Sequence, residues 1–199
     1  MLKIGITGNI GSGKTTVSKI FELLGIPVFY ADAAAKAVMT TDQLLIGGLK
    51  QQFGNEAYFD NGELNRKYIA AKVFTDPAEL AKLNALVHPA VFRSFDEWVK
   101  GFSDVPYVIK EAAILFESGS YKLCDYNIIV TAPLQMRLDR VIKRDHITPS
   151  EADSRNSRQM PEEEKVKLAD FRIKNDDTEL VIPQVLALHQ QLLKLAESK

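Results

Sequence analysis

Eight residues near the amino terminus, Gly8-Asn9-Ile10-Gly11-Ser12-Gly13-Lys14-Thr15, limit what this chain can fold into more than any other feature. They follow Leu2-Lys3-Ile4-Gly5-Ile6-Thr7, which reads as a short strand. They precede Val17, Ile20, Phe21 and Leu24, whose spacing marks one apolar face of a helix beginning at Lys14. Gly25 suits a helix stop, and Pro27-Val28-Phe29-Tyr30 reads as a second strand. Strand, helix and strand in this order predict a parallel pair joined by a right-handed crossover. Between the first strand and the helix, glycines let the backbone curl so that successive N–H groups face phosphate oxygens. The helix start adds its positive dipole end. In the spacing G-x-x-x-x-G-K-T, Lys14 reaches the β- and γ-phosphates and the Thr15 hydroxyl serves Mg²⁺. The strand-to-helix context separates such a loop from a glycine-rich turn that binds nothing.

The remainder of the chain supports an α/β protein. Residues 41–101 carry mostly helical signals: Asp76-Pro77 as N-cap and first helical residue, then Leu80, Leu83 and Val87, with His88-Pro89 punctuating that helix. Val91, Phe95, Trp98 and Val99 form another apolar face, and Phe59-Asp60-Asn61-Gly62 has turn chemistry. Strand composition returns at Val105 to Ala113, at Tyr126 to Val130 and at Phe171-Arg172-Ile173. A helix follows Pro133 with Leu134, Leu138, Val141 and Ile142 on one face, and a last one runs through Val181, Val185, Leu188, Leu192 and Leu195. Strands alternating with helices predict a mostly parallel sheet. With 199 residues, one domain or one domain with an insertion is expected.

The balance of 25 Lys+Arg against 26 Asp+Glu argues against a generally basic nucleic-acid binder. Cys124 is the only cysteine, which excludes an intrachain disulfide and a Cys-rich zinc site. With no signal-peptide core and no run of ~20 apolar residues, an intracellular, cytoplasmic protein with no membrane segment is expected.

Four further groups carry candidate chemistry. Asp32 directly follows strand two, where ligands bind in open α/β sheets. It suits a carboxylate that accepts a hydroxyl proton from a phosphoryl acceptor, an N-cap for the helix through Ala33 to Ala35, or both at once. Glu111 ends strand three and suits Mg²⁺ through water; Glu117 competes, and a solvated surface acid is the plain alternative for both. Arg137, Arg140 and Arg144 share a helix face, with Arg155 and Arg158 following. They suit either a triphosphate or a salt-bridged solvent face. His88, His146 and His189 show no metal-ligand spacing, and His189 reads as a surface position.

No N/T-K-x-D tetrapeptide marks a GTPase, and the length suits a small P-loop kinase. Within that group the chain resembles the dephospho-CoA kinase family over nearly its whole length. The resemblance runs through Ile6 to Thr15, Ala31-Asp32, Phe53-Gly54, Asp60-Asn61-Gly62-Glu63-Leu64-Asn65-Arg66, Val73-Phe74 and His88-Pro89. It continues through Leu115-Phe116-Glu117-Ser118-Gly119, Arg155 with Gln159, Ala169-Asp170 and Asn175. Tyr30 stands where the family has the first Asp of D-A-D, Ala113 where it has Pro, Glu111 where it often has Asp, and Asn9 where Gly is common.

The resemblance implies a P-loop NTPase fold with a five-stranded parallel sheet, a helical acceptor-binding insertion and a lid. It implies ATP-dependent phosphorylation of the ribose 3′-hydroxyl of dephospho-CoA, with Mg²⁺. Lys14, Asp32 and Arg140 become the catalytic residues. ATP falls to Asn9, Ile10, Gly11, Ser12, Gly13, Lys14, Thr15, Thr16, Arg155 and Asn175, with Arg155 in the lid and Asn175 toward adenine. Asn65, Arg66 and His88 would bind the acceptor, His88 being alternatively a turn-capping residue; Thr15 and Glu111 would serve the metal. Expected boundaries are a nucleotide core of 1–40, 102–132 and 166–199, an insertion of 41–101, and an arginine-bearing helix and lid of 133–165. Another small-molecule or nucleotide kinase, or a nucleotide-binding regulator without turnover, remain the alternatives.

Overall fold

The computed structural model describes residues 1–74 and 76–198. The chain forms two compact units, one of residues 1–30 with those from 102 onward, the other of residues 31–101.

The first unit contains β1 (Leu2–Thr7), α1 (Lys14–Leu23), β2 (Val28–Tyr30), β3 (Tyr107–Glu111) and β4 (Tyr126–Thr131). In the second unit are α2 (Ala31–Thr41), α3 (Gln43–Phe53), α4 (Arg66–Val73) and α5 (Pro77–Val99). The first unit is completed by α6 (Leu134–Asp145), α7 (Pro149–Ser157), α8 (Glu162–Leu168), β5 (Phe171–Lys174) and α9 (Val181–Glu197). Its five strands lie in the order β2-β3-β1-β4-β5, all parallel, as the alternating pattern predicts. A parallel sheet needs cover on both faces. Accordingly all of β3 is buried, and β1 and β4 each expose one residue only partly. The strand expected from Val105 to Ala113 is regular only over Tyr107–Glu111; Pro106, without an N–H, cannot extend the ladder.

β1 is the central strand, and its carboxyl end carries the glycine loop. α1 turns Val17 and Phe21 inward and stops before Gly25, whose φ of 81° only glycine adopts cheaply. α9 closes the core with Val185, Leu188 and Leu192; Pro183 falls in its first turn, where an N–H has no helical partner anyway.

His189 is not the surface residue that its sequence position suggests. It is half-buried on α9, and its Nδ1 hydrogen-bonds the hydroxyl of the fully buried Tyr107. The polar end of a core tyrosine needs a partner, and α9 supplies it. Burial holds the His189 imidazole below its ordinary value. The unfolded chain therefore binds this proton at a higher pH than the native one. The stability at stake is complete above the unfolded value and is lost as pH falls below about 6.5. We expect urea unfolding to show a midpoint that drops between about pH 7 and about pH 5, and a shallower drop for His189→Gln, which cannot titrate.

In the second unit, Asp42 accepts the Leu45 N–H at 2.9 Å to cap α3 and also holds Arg93 of α5 at 2.6 Å. The Tyr58 hydroxyl donates to the Met39 carbonyl and the Tyr68 hydroxyl to that of Phe53. Leu45, Leu49, Phe53, Ile69, Val91 and Phe95 are among its buried side chains. Asp76 and Pro77 open α5 as expected, the Asp76 carboxylate accepting from the Ala78 N–H at 2.8 Å. The break expected at His88-Pro89 is absent: α5 runs on through Pro89 to Val99. Val87, Ala90, Val91 and Phe95 form one continuous buried face there, and that packing outweighs the hydrogen bond that a proline withholds.

Candidate active site

The loop between β1 and α1 has the backbone its glycines predict. Gly11 and Gly13 have φ of 78° and 91°, and Gly13 is the residue before the first turn of α1. Space is as restrictive as conformation. A Cβ on Gly11 would lie 2.2 Å from the backbone oxygen of Arg137 in α6, and one on Gly13 2.2 Å from the side-chain nitrogen of Asn175. Gly11→Ala thus meets backbone that cannot rotate away. We expect it to lose about 2 kcal/mol or more in denaturant unfolding and to weaken ATP binding in calorimetry.

Three groups meet at the head of the loop. The Thr15 hydroxyl donates to Glu111 Oε2 at 3.2 Å, and Lys14 Nζ lies 3.5 Å from Glu111 Oε1. Glu111 is buried at the end of β3, opposite Ile6 of β1 and Tyr30 of β2. Tyr30 ends β2, and its hydroxyl donates to Glu22 of α1 at 3.0 Å. Burial raises the Tyr30 phenol, followed by its hydrogen bond to Glu22 and the negative charges of Glu22 and Glu111. It stays protonated and supplies no carboxylate.

Glu117 is placed elsewhere. It accepts from Lys165 Nζ at 2.7 Å and from the Met160 N–H at 3.0 Å. Lys165 on α8 is fully buried and also donates to the Ala113 carbonyl. Burial pulls its ammonium down despite the pairing with Glu117. Nothing in the sequence singles out Lys165; within Glu162-Glu163-Glu164-Lys165 it looks like one charge of a solvated helix.

The arginines on α6 divide their work. Arg137 is buried, donating to the Ala132 carbonyl at 2.9 Å and to Asn156 Oδ1 at 2.9 Å, and it faces Glu162 at 3.6 Å. Arg140 donates to the Asn175 carbonyl at 3.0 Å and lies 3.5 Å from Asp177. Arg144 and Arg155 share the Asp145 carboxylate. Asn175 itself rests on the loop, donating from Nδ2 to the Ser12 carbonyl at 2.8 Å. Asn9 is buried, and its amide donates to the Met160 carbonyl at 3.0 Å. The Ile10 N–H donates to Gln159 Oε1 at 2.7 Å. Of the remaining loop residues Ser12 is buried, and Thr16 is exposed on α1.

In the helical unit, Asn65 caps α4 by accepting the Tyr68 N–H at 3.1 Å. Arg66 is exposed and lines a cleft with Thr40, Asn61 and Glu63. His88 lies inside α5, stacked on Phe92 at 6.4 Å, so it caps no turn. Asp32 is exposed in the first turn of α2, which already begins at Ala31. It is therefore not the N-cap, although a carboxylate there still complements the helix dipole.

A glycine loop joining the central strand of a five-stranded parallel sheet to a helix, with lysine, threonine and a strand-end acid meeting above it, defines a P-loop kinase fold. Shikimate kinase from Bacteroides thetaiotaomicron shares that fold, at 15% identity with a TM-score of 0.52 over 97% of this chain and 98% of its own. The chain belongs to the dephospho-CoA kinase family, whose model matches residues 2–180. The dephospho-CoA kinase of Bacteroides fragilis is 37% identical over 94% of this chain and 91% of its own length. That of Legionella pneumophila is 35% identical over 98% of each. A crystal structure from Thermus thermophilus superposes with a TM-score of 0.81 at 36% identity, over 98% of this chain and 97% of its own. The dephospho-CoA kinase of Campylobacter jejuni gives 0.70 at 25% identity, over 96% and 97%. No helix among the described residues is long and apolar enough to cross a membrane.

Proposed function

We propose that this protein transfers the γ-phosphoryl group of ATP to the ribose 3′-hydroxyl of dephospho-CoA, giving coenzyme A and ADP in the last step of coenzyme A synthesis. The observation that carries this reading is the meeting of Lys14, Thr15 and Glu111 above the loop in a chain of this family. Phosphoryl transfer asks little covalent chemistry of a protein; it asks for positioning and for cations where charge spreads over the equatorial oxygens. The loop N–H groups and Lys14 hold the β- and γ-phosphates, Lys14 exchanging Glu111 for them. Asp32 accepts the proton of the attacking hydroxyl. Arg140 adds charge stabilisation and Arg155 leaves Asp145 to meet phosphate when nucleotide is present. Asn175 contributes at the ATP site, and Asn65, Arg66 and His88 belong to acceptor binding.

The donor set suits Mg²⁺. Thr15 and Glu111 offer a hydroxyl and a carboxylate side by side, and this ion takes one or two hard protein oxygens together with substrate phosphates. When bound, it neutralises charge on the β- and γ-oxygens. ATP and dephospho-CoA are the partners, with no nucleic acid or membrane. The cytoplasm is the proposed location, in keeping with a single unpaired cysteine. Mass spectrometry of dephospho-CoA incubated with the protein, ATP and Mg²⁺ tests the function. The expected product gains one phosphate at the ribose; an unmodified acceptor overturns the assignment.

A further inference from the structure

The loop is not a free-standing cradle. Four contacts, made by Asn9, Ile10 and Gly11, join its first half to α6, α7 and the residues that follow them. The Ile10 side chain packs into the small apolar cluster of Leu138, Val141 and Ala152, shared by α6 and α7. The Ile10 N–H and the Asn9 amide are taken by Gln159 Oε1 and the Met160 carbonyl. Gly11 approaches the Arg137 carbonyl so closely that no side chain fits between them. The far side of this junction is also anchored, because the Met160 N–H donates to Glu117, which Lys165 holds.

Asn9 is notable because a side chain at that position would ordinarily crowd the phosphates. Here it is 3% exposed and turned into the junction. Its orientation is unambiguous: only the amide nitrogen can donate to a carbonyl. Its Oδ1 meets no hydrogen-bond partner. An asparagine kept with half its polarity unsatisfied contributes little net stability. That points to the geometry it imposes.

We propose that Asn9 and Gln159 are positioning residues, forming a clasp that makes the phosphate loop and the arginine-bearing α6–α7 segment move as one body. Nucleotide phosphates that order the loop thereby order α7 and Arg155 with it. This rests on the nucleotide-binding reading above and adds the residues that carry the response from the loop to the segment. Gln159→Leu removes the acceptor for Ile10, and Asn9→Gly removes the donor to Met160 while leaving a residue that any loop geometry accepts.

The test is amide hydrogen exchange on the full-length protein with and without saturating ADP, together with ADP affinity by calorimetry. In the parent, ADP should protect both the loop, residues 8–15, and α7. In either variant we expect loop protection to remain and α7 protection to fall at least about threefold, with ADP bound about fivefold more weakly, the scale of one net hydrogen bond. A variant that merely loosens the fold would lose protection in β1, β3 and α9 as well. Should Gln159→Leu not fold, Asn9→Gly gives the same readout. Equal α7 protection in parent and variants overturns the clasp alone. A parent that does not bind ADP at all overturns the nucleotide reading, and the clasp's purpose with it.

Discussion

Replacing Lys14 by Met will lower kcat by at least about a hundredfold and leave the protein folded. Removal of one preorganised donor to a developing charge typically costs that much or more, and a cation at the transferring phosphoryl belongs to the same class. The methionine keeps the aliphatic stem, so packing at the start of α1 survives. One electrostatic debt remains. Lys14 stands 3.5 Å from the buried carboxylate of Glu111, which keeps Thr15 as a hydrogen-bond donor. That separation is long for a charge-assisted hydrogen bond, so the thermal midpoint should fall by only a few degrees, as about 1 kcal/mol would produce. Stopped-flow turnover and a melting curve on the same sample decide it. A near-parental kcat removes the loop from the mechanism.

Asp32→Asn will keep the melting temperature and ATP affinity and lose at least about a hundredfold in kcat, the lower end of what general-base assistance contributes. Asp32 is exposed and lies within the first turn of α2, so no cap is lost. The isosteric amide forfeits only a favourable charge near the helix dipole, about 0.5 kcal/mol. Asparagine preserves shape and hydrogen bonding but cannot hold a proton taken from the hydroxyl. If the variant turns over dephospho-CoA at the parental rate, Asp32 contributes only helix electrostatics and Glu111 is the next acid to replace.

The sequence is most legible where the chain's own local chemistry decides the outcome. The glycine spacing before Lys14 forces one loop geometry, and Asp76-Pro77 opens α5 because cap and fixed φ act within four residues. It is least legible where distant segments arbitrate. His88-Pro89 reads as a break, yet the buried face from Val87 to Phe95 carries the helix through it. His189 reads as surface because its partner, the Tyr107 hydroxyl, is 82 residues away. Glu111 and Glu117 cannot be ranked by sequence; only the strand end that sets Glu111 beside Thr15, and the buried Lys165 that claims Glu117, separate them. Asn9 presents the same difficulty. The resemblance assigns it to the ATP site, and no local pattern shows that its amide also donates to Met160, 151 residues away.

That reach across the chain has a consequence for synthesis. The ribosome makes the loop well before its braces: Gln159 lies 149 residues after Ile10, and Asn175 lies 163 after Ser12. Both neighbours of β1 also come from beyond residue 106, so the strand that carries the loop has no ladder until those residues have been made. Pairings so remote in sequence form late, because loop closure must be met before any contact rewards it. A nascent chain can settle residues 31–101 early, from contacts all within that stretch. Nucleotide competence arrives only once Asn175 has been made, and a polypeptide released before that point carries the whole glycine motif without the frame that shapes it.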